Sequence, residues 1–89
     1  PMELEDYPEA QRLYGRLFAL REGALGEEHP DTLMSLNNLA YTYGELGEHH
    51  RELELFEKVY KAQCRILGEE HPTTLKAKAR LQEYKEKKM

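Results

Sequence analysis

The residues able to do acid–base or metal chemistry fall into a few clusters. Glu27-Glu28-His29 and Glu69-Glu70-His71 each set two carboxylates beside an imidazole, the ingredients of general acid–base catalysis. His49 and His50 are adjacent and so point to different helix faces, while His50 and Glu54 share a face at four-residue spacing. Cys64 is the only thiol, and no base stands beside it in the pattern. None of these completes a reactive set. The two Glu-Glu-His clusters are copies, so one structural cause explains both, and an acid–base role explains neither their repetition nor their position. No second ligand pair stands at zinc-type spacing, so neither a metal nor a cofactor is expected. There is no phosphate-binding glycine loop, nucleophile elbow or helix-borne His-Glu-x-x-His, so the chain is not read as an enzyme.

Composition narrows the partners. The net charge is −4 with a pI near 5.6, which gives no broad basic surface for nucleic acid. The stretch from Lys76 to Lys88 is locally basic, and its lysines read as a solvated last helix near its negative dipole end. No apolar run is long enough for a membrane span or a signal peptide. One cysteine cannot form an internal disulfide, and a cytoplasmic location is expected. The length of 89 residues bounds the chain to one small domain, 1–89. Pro1-Met2 reads as a remnant of expression and is left out of the fold argument.

The elements that position these residues come from an internal repeat. Leu25-Gly26-Glu27-Glu28-His29-Pro30 recurs as Leu67-Gly68-Glu69-Glu70-His71-Pro72, an offset of 42 residues. Thr32, Leu33 and Leu39 recur as Thr74, Leu75 and Leu81. Leu13, Tyr14, Leu17 and Phe18 map onto Leu55, Phe56, Val59 and Tyr60, at spacings that share one helix face. Such self-similarity marks stacked repeats. Each duplicated block reads as a helix–helix joint: a glycine in the left-handed position past a helix end, then a proline in the first turn of the next. Gly44-Glu45-Leu46-Gly47 reads as a tighter joint with Gly47 at the turn. The expected fold is all-α: antiparallel helix-turn-helix repeats of an α-solenoid, with four helices near 7–25, 31–45, 48–67 and 73–87.

Leu25 to Gly47, with Ser35-Leu36-Asn37-Asn38-Leu39-Ala40 and Tyr43 inside it, resembles the 42-residue tetratricopeptide repeats of kinesin light chains. It is also similar to the arrays of nephrocystin-type and NB-ARC- or NACHT-linked signalling proteins. The resemblance implies a protein-interaction scaffold whose first-type helices line a groove that binds an extended peptide or partner protein. Leu33, Leu36, Leu39, Ala40 and Tyr43 form the expected buried stripe of the second helix. The neighbouring stripe carries Met34, Asn37, Asn38, Tyr41 and Glu45. By resemblance, Asn37 and Asn38 match the asparagines that clamp a peptide backbone. Met34 and Tyr41 add apolar contact, and Lys76 and Arg80 on the last helix favour an acidic segment. The two-carboxylate clamp of chaperone-binding repeats is not reproduced.

The phase is half a unit out: a second-type helix, one complete pair, then a first-type helix. Stacked units bury their faces only against neighbours, so apolar ends are expected to be exposed. This makes excision from a longer array, or a homodimer through those ends with or without helix exchange, the expected context. Three positions depart from the pattern: Glu52 stands where Ala10 is small, His49 where Tyr7 is aromatic, and Gln82 where Ala40 is small. Altered packing of the middle pair and a more polar last helix are expected.

Overall fold

The computed structural model describes residues 6–88, so Pro1 and Met2 lie outside the described residues. The chain forms α1 (Tyr7–Leu25), α2 (Pro30–Glu45), α3 (His49–Leu67) and α4 (Pro72–Lys88). No strand occurs among the described residues. α2 and α4 begin at the proline itself, one residue ahead of the expected starts, because a helix's first residue needs no intrahelical N–H bond.

The joints explain the boundaries. At the ends of α1 and α3 the glycine N–H groups bond to Glu22 O at 3.0 Å and Cys64 O at 3.1 Å. Gly26 and Gly68 share φ 94°, with ψ 161° and 154°. That is not the left-handed helical position but an extended positive-φ region that essentially only glycine occupies. The next helices are capped by a side chain the sequence reading did not assign. His29 Nδ1 accepts the Asp31 N–H at 3.1 Å, and His71 Nδ1 accepts the Thr73 N–H at 3.1 Å. The shared geometry of the two joints thus gives both histidines a capping role. In the tighter joint, Glu48 N–H bonds to Tyr43 O at 2.9 Å and Gly47 N–H to Gly44 O at 3.0 Å. This paired closure requires positive φ at Gly47, which is 82°.

Such short joints fold each helix back along its predecessor. α1 packs on α2, α2 on α3 and α3 on α4, with no other helix pair in backbone contact among the described residues. Alanines mark the crossings: Ala10, Ala40 and Ala62 are buried and let helices approach closely. Ala40, Phe56 and Leu81 form a cluster that ties α2, α3 and α4 together. On the expected stripe of α2, Leu36, Leu39 and Ala40 are buried, whereas Leu33 and Tyr43 are half-buried. Thr32, Ser35 and Thr42 are buried as well. Thr42 Oγ1 is satisfied by donating to Leu39 O at 2.7 Å.

Glu52 does alter the middle pair. It is 2% exposed at the α2–α3 crossing. Gly44 makes the room: a Cβ there would lie 2.6 Å from Glu52 Cδ. The carboxylate accepts from the Tyr84 hydroxyl and lies 2.9 Å from His49 Nδ1. His49, not His50, therefore finds the acidic partner, at i+3 rather than i+4.

Candidate functional site

α2 and α4 keep their backbones apart, and α3 forms the floor between them. Met34, Asn37 and Tyr41 recur along α2 at spacings of three and four, so they share one face with Asn38 beside them. Met34 and Tyr41 are exposed and the two asparagines half-buried. Tyr41 is steadied edge-on by Tyr7 at 6.4 Å. On α4, Lys76 and Arg80 are exposed and one turn apart. The Arg80 guanidinium lies 5.0 Å over the Phe56 ring, and Phe56 packs against Tyr84 at 5.6 Å.

These residues border three adjoining concavities. The largest, about 620 Å³, is walled by Asn38 and Tyr41 of α2 and by Arg80 and Tyr84 of α4, with Phe56 as floor. A smaller one of about 150 Å³ lies among Asn37, Gln63, Lys76 and Ala77. The third, about 390 Å³, is apolar and bordered by Leu33, Met34, Ile66 and Leu67. Asn37 borders all three. The six sequence-predicted residues therefore lie along one groove but not in one concavity. Asn38, Tyr41 and Arg80 meet at one end, Lys76 lies in the middle, and Met34 is at the other end.

The electrostatics follow from pairing. Glu83 is matched to Lys87 at 3.7 Å and Glu57 to Lys85 at 3.4 Å. Lys76 and Arg80 have no carboxylate in ion-pair reach among the described residues. Both cations face the groove without a paired carboxylate, Arg80 resting on the Phe56 ring. Burial pushes the Tyr84 phenol up to about 12, reinforced by its hydrogen bond to Glu52 and that carboxylate's charge, while Arg80 pulls the other way. Tyr84 stays a neutral donor, and its bond to Glu52 fixes where its ring stands in the groove wall.

Among the lining residues that the spacing does not single out for the groove are Phe56, Gln63 and Tyr84. Phe56 shares a helix face with Leu55, Val59 and Tyr60 by spacing, and it is buried in the core while flooring the groove. Tyr84 replaces Thr42 of the preceding unit at the same 42-residue offset, a small-to-large change that was there to be read. Gln63 carries no sequence signal by itself. No three His, Cys, Asp or Glu side chains gather as a metal set among the described residues.

No helix among the described residues is long and apolar enough to cross a membrane. The family model described as Tetratricopeptide repeat matches residues 2–65. A comparison with curated proteins found no match.

Proposed function

Because the chain belongs to the tetratricopeptide repeat family, we propose that it is a protein-interaction module that receives an extended segment of a partner protein between α2 and α4. The supporting observation is the groove itself. It combines two cations that have no paired carboxylate, half-buried amides and an apolar end. Met34, Ile66 and Leu67 offer a seat for an apolar side chain. Asn37 and Asn38 bond the main chain, since an amide both donates and accepts. Lys76 and Arg80 favour a carboxylate. A cytoplasmic setting belongs to the same proposal. Binding to a peptide array tests it. The double variant Asn37→Ala/Asn38→Ala loses affinity on this reading, and undiminished affinity removes the asparagines from the site.

One observation supports self-association as a second reading. Leu13, Leu17 and Leu20 line one side of α1 at helical spacing, and Leu20 is 69% exposed. The other end of the chain differs. At the positions equivalent to Leu36, Ala40 and Tyr43, α4 carries exposed Lys78, Gln82 and Lys85. Pairing of two copies would therefore use α1 on both sides, a two-fold arrangement, rather than stack head to tail. Light scattering over a concentration series decides: a strict monomer at high concentration ends this reading.

A further inference from the structure

We propose that Gln63, on the groove floor, is a ligand-binding residue, and that with Asn37 it forms a pair of amide clamps for an extended main chain. The proposal rests on the groove reading above and adds a residue from α3 to a site otherwise built from α2 and α4.

The repeat itself explains why Gln63 is free to bind. Its equivalent one unit earlier is Arg21, whose guanidinium reaches across to α2. Arg21 Nη1 donates to Ser35 Oγ at 2.9 Å and to Asp31 O at 3.1 Å. At the α3–α4 contact the equivalents of Ser35 and Asp31 are Ala77 and Thr73. Ala77 presents a methyl group, so the side-chain bond that Arg21 makes has no counterpart, and the contact at this point is made by Thr74 Oγ1 donating to the Gln63 backbone carbonyl at 3.4 Å. Gln63 Oε1 is buried without a hydrogen-bond partner. Asn37 Oδ1 is buried and unpaired in the same way. Both residues border the middle and the apolar concavities.

Buried polar atoms are nearly always satisfied, and an unsatisfied one destabilises the fold that holds it. Thr32 Oγ1 is unsatisfied as well but borders none of these concavities, whereas the two amides border the same two and point to a partner outside the chain. The terminal amide torsion is broad and two-fold, so each side chain can turn its oxygen or its NH2 toward the groove without strain. A neutral group that donates and accepts matches a peptide bond rather than an isolated charge. In an extended segment, alternate residues direct their N–H and C=O groups to the same side, about 6–7 Å apart.

The test starts from short random peptides displayed and selected on the intact chain. The enriched peptide is then made with each backbone N–H methylated in turn. Against the chain, methylation at two alternate positions lowers affinity about tenfold each, the scale of one hydrogen bond to a desolvated partner. Gln63→Met keeps the side-chain length and removes its polar atoms. It lowers affinity about tenfold, without lowering the melting temperature, because an unsatisfied group is lost. Ala77→Ser restores the partner that Arg21 enjoys and lowers affinity with Gln63 left in place. If both variants bind like the parent while Arg80→Glu does not, the groove reading survives and the role of Gln63 falls. If Gln63→Met loses affinity and melting temperature together, its role is structural and the inference falls. If no peptide is enriched, the groove reading falls and the inference with it.

Discussion

Replacing Gly44 with alanine sets two opposing effects against each other. Gly44 lies within α2, where glycine costs about 1 kcal/mol relative to alanine. Helix propensity alone predicts a more stable protein. The structure predicts the reverse. The new Cβ would stand 2.6 Å from Glu52 Cδ and 2.9 Å from Oε1, so the carboxylate must move. A free side-chain end would move cheaply, but this one is held by Tyr84 and His49. Hydrogen bonds to charged groups contribute about 1.5–3 kcal/mol each, and the His49 bond is discounted because its ring is partly solvated. Loss of the Tyr84 bond with partial loss of the other gives about 2–4 kcal/mol. Subtracting the helix gain leaves a net destabilisation of about 1–3 kcal/mol, or a melting temperature lower by about 4–8 °C per kcal/mol in a chain of this size. The assay is thermal and urea unfolding of Gly44→Ala, Glu52→Ala and the double variant. In the Glu52→Ala background the collision is gone and Gly44→Ala becomes neutral to stabilising. A Gly44→Ala protein more stable than the parent, or equal effects in both backgrounds, refutes the reasoning.

The remaining predictions are smaller. The Tyr84 phenol has its value raised from 10.0 to about 12, and the neutral form is the one favoured by folding. Its stabilisation is fully present below pH 10 and is lost as pH rises through about 12, because the unfolded chain releases that proton first. Absorbance titration of the tyrosines therefore shows a late component that Tyr84→Phe reduces, Tyr60 being raised as well by its bond with Cys64. Gly68→Ala meets no atom within 4 Å, so its cost is purely the φ of 94°, about 1–3 kcal/mol in urea unfolding. Glu28→Gln breaks the exposed ion pair with Arg65 and lowers stability by less than about 1 kcal/mol at low salt, an effect that shrinks at high salt.

The helical repeat was legible in the sequence because its joints are made of residues with backbone reasons to be there. A glycine at positive φ and a proline at a helix start leave few other readings, and both recur at the 42-residue offset. The histidine caps were not legible. An imidazole accepting an N–H depends on the ring turning back over its own helix start, which the letters His-Pro do not show. Glu52 stands out in the repeat at the small crossing position of Ala10, so altered packing is legible there, but how the carboxylate is held is not. Its burial depends on Gly44 on one helix and Tyr84 on another, a three-body arrangement that exists only after packing. The groove shows the same division. Met34, Asn37 and Tyr41 announce themselves by spacing along one helix. Gln63 acquires meaning only when Ala77 is found opposite it where Ser35 faces Arg21.

An extended peptide held between α2 and α4 must perturb the residues that line the groove. Backbone and side-chain amide resonances of the chain, followed by NMR during titration with a selected peptide, report this residue by residue. The largest shifts are expected on Asn37, Asn38, Gln63 and Arg80, with α1 unmoved. Shifts confined to Leu13, Leu17 and Leu20 on the open side of α1 would contradict that placement.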